Sequence, residues 1–409
     1  MSIQLNHSRR AAALLFLITV TAAPYAAADF RDGLFELVHT APVETSLATP
    51  DLRESAVVWS EMFDAAQKEI VIAQFYVASK PGTRFDGVID RLAAAGKRGV
   101  KIRFLMEERG KSASDMATIA RLQRIPNLEF RFFEYGKMSG NGIIHAKYLV
   151  VDGRSAYLGS QNFDWRSFAH IHETGVKIDD AVIAGQMQAI FAFDWEAQAL
   201  IARGLPVTPV QHSPAASARP ASYLVASPAA YTPAQVGDSE AELVSLLNQA
   251  TTAIDVQLLD YAPLSYGPNH TRPYYAVIDN ALRAAQARGV KIRLMVSNWN
   301  TEAPAIDYLK SLAVLPGVEV RIVTLPVAAQ GFIPYARVIH SKMMCIDGQI
   351  AWIGTSNWAG GYLDKSRNLE LVLRDPGFAR RVQQLYGQTW ESSYAAPLDI
   401  ARHYPKPVK

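Results

Sequence analysis

The sequence predicts an α/β protein built from two similar halves, and three observations carry that prediction. The pattern His-x-Lys-x4-Asp-Gly occurs twice, as His145, Lys147, Asp152, Gly153 and as His340, Lys342, Asp347, Gly348, displaced by 195 residues. The run from Arg98 to Arg103 is repeated without change from Arg288 to Arg293, displaced by 190, so the second half carries five extra residues before its histidine. In both halves helical stretches alternate with apolar, β-prone runs, the arrangement of sheets flanked by helices.

The elements follow in matched order. Short strands at 35–38 and 223–225 come first, then amphipathic helices near 52–67 and 239–249 and β-like runs at 70–77 and 254–261. Alanine-rich helices at 88–97 and 277–287 lead into strands at 102–106 and 292–296. The histidines open apolar runs at 144–151 and 338–346, which the Asp-Gly dipeptides turn back into strands at 156–158 and 351–353. Residues 203–221, with Pro206, Pro209, Pro214 and Pro220, read as a Pro/Ala/Ser-rich linker between a first repeat at 29–202 and a second at 222–409.

Composition bounds the rest. A chain of 409 residues that is 49% apolar has ample material for a packed core, which excludes overall disorder. Residues 1–28 read as a secretory signal peptide: Arg9 and Arg10, an apolar stretch at 11–23, and Ala26, Ala27 and Ala28 before Asp29. That stretch falls short of the ~20 residues a spanning helix needs, so cleavage and export to the periplasm or medium are expected rather than anchoring. Arg9-Arg10 resembles a twin-arginine signal, but Ala11 and Ala12 replace the hydrophobic residues expected after the pair. Without those arginines the formal charge falls from +3 to +1, so any polyanion contact must be local. The single cysteine, Cys345, excludes an internal disulfide and a cysteine zinc site, and within its apolar run it reads as a buried hydrophobe.

Residues two apart on a strand share a face, so His145 points with Lys147 and His340 with Lys342. Two imidazoles meeting across an interface can divide phosphodiester cleavage: one, neutral, attacks phosphorus, and the other, protonated, supplies the leaving oxygen and then activates water. Lys147, Lys342, Asn162 and Asn357 are donors for the charge that develops on the phosphoryl oxygens. Ser160 and Thr355 can add hydroxyls or simply support tight turns. Asp152 and Asp347, at an odd spacing from the histidines, read as supports of the hairpins, and Glu173 and Glu370 as partners that orient imidazoles. A lysine beside each histidine disfavours a divalent cation, so no metal or other cofactor is expected. His170, His172 and His270 read as ordinary surface residues. Trp165, Trp358 and Tyr335 can stack on bases, line an acyl groove or pack between the halves.

These motifs, with their Gly-Ser/Thr-x-Asn turns, resemble the phospholipase D superfamily over nearly all of residues 35–395. The resemblance implies two similar α/β/α lobes related by a pseudo-twofold axis, with one metal-free active site at their interface. It implies that His145 attacks and His340 protonates, that Glu370 holds His145, and that Glu173 holds His340. The runs Gly159–Ser167, Ile333–Val338 and Gly354–Trp358 resemble the phospholipase D3/D4 group, whose lysosomal members are 5′ exonucleases on single-stranded DNA and RNA. Those proteins carry disulfides and a membrane anchor where this chain has one cysteine and a cleavable leader. The expected partner is therefore single-stranded nucleic acid. The alternative is membrane phospholipid, cleaved or transferred by a phospholipase D or transphosphatidylase, and one chain suffices for a complete site. A catalytically silent scaffold would show a damaged motif, and both copies are complete.

Overall fold

The computed structural model describes residues 30–212, 220–266 and 271–409, so the expected signal peptide, part of the linker and His270 lie outside the described residues. Each half forms one mixed sheet. In the first, the strands run in the order Arg31–Asp32, Phe35–Thr40, Glu173–Ile178, Ser155–Gly159, Tyr148–Val151, Glu69–Gln74, Lys101–Glu107, Leu128–Phe133. In the second the order is Gly237–Asp238, Ser222–Ser227, Asn368–Leu373, Ile350–Gly354, Met343–Ile346, Ala253–Leu258, Lys291–Ser297, Val318–Val323, Ala395–Pro397. Three strands of each sheet are parallel and joined through helices, while the strands bearing the repeated motif are antiparallel.

The outer face of the first sheet is closed by Ser55–Ala65 and Arg84–Lys97, and that of the second by Ser239–Gln249 and Val277–Ala287, each over its own apolar cluster. The inner faces share a third cluster with the long helices Ala181–Ala202 and Pro376–Trp390, drawing Tyr148, Leu158 and Trp195 from one half and Met343, Ile353 and Trp390 from the other. Because strands buried on both faces must be apolar throughout, the hairpin strands read YLVV and MMCI, and Cys345 lies within the second. No helix among the described residues is long and apolar enough to cross a membrane.

Both Asp-Gly turns place two successive residues at positive φ, 53° and 66° at Asp152 and Gly153 and 54° and 65° at Asp347 and Gly348, as a two-residue hairpin requires. The sequence expects strands to begin at residues 144 and 338, but regular pairing starts only at Tyr148 and Met343. The preceding segments leave their own sheets and pair with the opposite half, Ile144 bridging Arg367 and His172 bridging Ile339.

Candidate active site

This crossed pairing builds the site. The His145 and Ala146 amides donate to the Arg367 carbonyl at 3.0 and 2.8 Å, and the His340 and Ser341 amides to the His172 carbonyl at 2.8 and 3.1 Å. Each His-x-Lys segment is thus oriented by the other half. Both histidines are buried and line one cavity of about 500 Å³ together with Asn162 and Asn357. Lys147 and Lys342 are completely enclosed, and each ammonium donates to the carbonyl of its neighbouring histidine, Lys342 to His340 at 2.6 Å.

The two imidazoles differ in what holds Nδ1. His340 Nδ1 lies 2.9 Å from Glu173 Oε2, a buried carboxylate. His145 Nδ1 lies 3.0 Å from the amide oxygen Oδ1 of Asn368. Other contacts fix that amide: its NH₂ donates to the Tyr362 carbonyl at 2.9 Å, and Oδ1 accepts from the Thr355 hydroxyl at 2.9 Å. Thr355 in turn accepts from the Leu369 amide, so its proton is free for Asn368. A carbonyl oxygen only accepts, so His145 carries its proton on Nδ1 and keeps the Nε2 lone pair available.

Glu370 is therefore not the partner of His145. It sits two residues further along the strand, opposite Gly354, where its carboxylate accepts from Ser239 and, at 2.7 Å, from Ser356. Burial pushes its carboxyl up to about 7. The displacement of 195 that aligns the rest of the repeat carries Glu173 onto Asn368, whereas matching glutamate to glutamate carries it onto Glu370.

Asp152 and Asp347 face away from the chemistry. Asp152 accepts from the Gln67, Lys68 and Glu69 amides at 3.0, 2.8 and 2.8 Å, and Asp347 from those of Thr251, Thr252 and Ala253 at 2.9, 2.8 and 2.8 Å. Each carboxylate ties a hairpin to the loop entering the neighbouring strand. Ser160 exchanges hydrogen bonds with the Thr174 backbone.

Two surface expectations, for His172 and His170, are corrected. His172 is fully buried, its ring within 3.1 Å of His39 and 3.0 Å of the Ser341 hydroxyl, and His170 is buried against Trp165. Both lie on the segment that crosses to the other half, which a surface assignment by residue type does not see. Trp358 is 1% exposed and packs edge-on against Trp352 in the second core, so it cannot stack on a ligand. Trp165 lies beneath the Lys80 ammonium and beside His170, outside the cavity lining. Tyr335, 58% exposed, does line the cavity, as do Phe75, Tyr76, Trp299 and Tyr362, which the sequence did not single out.

The electrostatics of the site follow from burial and like charges. Burial, reinforced by Lys147 and Lys342, holds His145 well below the usual histidine range. Burial lowers His340 to about 4 even though Glu173 opposes it. Lys342 falls to about 7 through burial, and Lys147 falls well below the ordinary lysine value through burial and then Lys342. Burial alone would raise Glu173, but His340 and Lys342 outweigh it and keep the carboxyl ionised. A phosphodiester anion in the cavity supplies the negative charge that restores both ammoniums and favours protonated His340. Among the described residues no group of three or more His, Cys, Asp or Glu side chains is placed to hold a metal ion.

Two buried imidazoles, two lysines and two asparagines at one interface define a phosphodiesterase site on a two-lobed α/β fold. The family profile described as "Cardiolipin synthase, PLD-like domain" matches residues 60–195 and 243–390. The chain belongs to this phospholipase D-like family, and it is a phosphodiesterase of the phospholipase D superfamily. It is 30% identical over 399 residues to phospholipase D Z of Dictyostelium discoideum, covering 90% of this chain and 91% of that one. It is also 30% identical over 406 residues to the 5′-3′ exonuclease PLD4 of Homo sapiens, covering 89% and 78%. The crystal structure of phosphatidylserine synthase from Haemophilus influenzae shares the fold, with a TM-score of 0.58 at 12% identity over 84% of this chain and 85% of that one.

Proposed function

We propose that the protein is an exported phosphodiesterase that cleaves single-stranded nucleic acid from an end through a covalent phosphohistidine on His145. The observation that carries the division of labour is the unequal pair of Nδ1 partners. The neutral Asn368 amide leaves His145 an unprotonated Nε2, while the Glu173 carboxylate favours the imidazolium of His340. His145 Nε2 forms the bond to phosphorus as the bond to the leaving oxygen breaks, and that oxygen takes the His340 proton. Water then attacks phosphorus and gives its proton to His340, and the N–P bond returns its electron pair to His145. Lys147, Lys342 and the side-chain NH₂ groups of Asn162 and Asn357, both of which line the cavity, donate to the phosphoryl oxygens.

The likeness to a 5′-3′ exonuclease and a cavity walled by Trp299, Tyr335, Phe75 and Tyr362 support the nucleic-acid substrate, since aromatic faces stack on bases. A panel tests this: 5′-hydroxyl and 5′-phosphate oligonucleotides beside phosphatidylglycerol and phosphatidylcholine vesicles. Oligonucleotides should be shortened and the vesicles left intact. Headgroup release with intact oligonucleotides would replace the nuclease with a lipase, the activity named in the Dictyostelium relative. Export predicts a mature chain beginning at Asp29, which intact-mass measurement of envelope or culture-fluid protein decides.

A further inference from the structure

Beside the catalytic cavity lies a second one of about 350 Å³, and Leu259, Trp299, Asn357 and Tyr362 form walls of both. The rest of its lining is mixed: Asp260, Arg272, Glu302 and Lys409 face it beside Tyr266 and the segment from Ala303 to Ala305. The two halves diverge at this point. Val77 pairs with Phe163 in the first half as Tyr261 pairs with Trp358 in the second, so Asp260 occupies the place that Tyr76 occupies in its own half. There the Tyr76 hydroxyl donates to Asp164 at 2.6 Å, and Arg166 closes on the same carboxylate at 2.8 Å. The position matching Asp164 is Ala359, so the second half has neither that carboxylate nor a tyrosine to cap it. Asp260 instead opens on the second cavity, and no hydrogen bond reaches its carboxylate among the described residues; Arg272, Lys409 and Lys342 act on it only through space. Glu302 is already paired with Lys409 at 2.8 Å, which leaves Asp260 as the available acceptor.

Resting on the nucleic-acid reading, we propose that the second cavity is the subsite for a nucleoside attached to the reacting phosphate. Asp260 accepts a hydrogen bond from the exocyclic amino group of cytosine or adenine, and Trp299 forms the wall between base and phosphate. A carboxylate accepting from an amino group is the pairing these bases offer. A lipid acyl chain gains nothing from a cavity with two carboxylates and two cations on its walls.

The test compares wild type, Asp260→Asn and Asp260→Ala on single-stranded oligo-dC, oligo-dA and oligo-dT and on bis(4-nitrophenyl) phosphate, with phosphatidylcholine vesicles alongside. Wild type should favour oligo-dC and oligo-dA over oligo-dT. Asp260→Ala should raise KM for the first two by about 10- to 100-fold, the range for losing a hydrogen bond to a charged group, and abolish the preference; Asp260→Asn, whose amide oxygen still accepts, should raise KM by less. Turnover of bis(4-nitrophenyl) phosphate should stay within about twofold of wild type, which separates recognition from any effect on Lys342 or on folding. Oligonucleotide cleavage by wild type with unchanged KM and base preference in the variants overturns the subsite alone, as does an equal loss on the minimal diester. Vesicle cleavage with intact oligonucleotides overturns the nuclease reading and the subsite with it.

Discussion

The two halves of this molecule are close copies in the backbone and unlike in a handful of side chains around the imidazoles. In the first half the residue before the orienting side chain is His172, which touches His39, Ser341 and Thr389; in the second it is Arg367, wholly buried and paired with Asp194 at 2.8 Å. The orienting side chains themselves are Glu173 and Asn368, one anionic and one neutral. The repeat thus places a histidine support at the same position in each half, and the two supports differ in charge. The carboxylate beside His340 and the neutral amide beside His145 bias a shared proton toward His340.

The most severe way to break the comparison is to delete either imidazole. His145→Ala and His340→Ala should each lower turnover by about 10³-fold or more, with the double variant scarcely worse, because both act on one intermediate. Half-activity in each single variant would mean two independent sites. A smaller effect separates the roles. Glu173→Gln removes the anion that favours protonated His340, so kcat should fall about 10- to 100-fold for a nucleotide leaving group and much less for 4-nitrophenolate, which needs little protonation. Equal losses on both substrates would argue against His340 as the acid.

Asn368→Asp makes the halves more alike. A carboxylate beside His145 raises the pKa of that imidazole, so the acidic limb of the pH–rate curve should move up by about one unit. An unmoved limb would remove Asn368 from the tuning of the nucleophile. The smallest effects belong to the features the halves share. Asp152→Asn and Asp347→Asn should each cost about 1–3 kcal/mol of stability through weakened backbone hydrogen bonds, with matched shifts in Tm. A large difference between the two would show that the hairpins are not equivalent supports.

Acid should act on the lobe interface as well. His39 and His172 are buried neutral, burial placing His39 well below 6.5 and His172 at about 4. Their folded values lie below the unfolded one, so the unfolded chain binds protons first. Stability is full above the ordinary histidine range and is lost as pH falls through it toward about 4. Thermal melts from pH 7.5 to 4.5 should show this fall, and His39→Gln should flatten it; an identical slope in the variant would locate the loss elsewhere.

Much of this was legible in the sequence because repetition is a strong signal. The helices at 239–249 and 277–287 match Ser239–Gln249 and Val277–Ala287, and the cavity unites His145, His340, Asn162 and Asn357. Two kinds of feature were not legible. Glu370 pairs with Glu173 by chemical identity, although the displacement of 195 that relates the two motifs points to Asn368, so likeness of residue type overrides register. The burial of His172 and Trp358 and the cavity role of Trp299 depend on which segment crosses to the other half, and no periodicity within one half records that.

The bridges from Ile144 to Arg367 and from His172 to Ile339 also govern when the enzyme becomes active. Each histidine is set by a carbonyl from the opposite half, so a single repeat carries one of the two imidazoles and lacks the carbonyl that sets it. The reaction centre therefore forms only where the two repeats dock on each other.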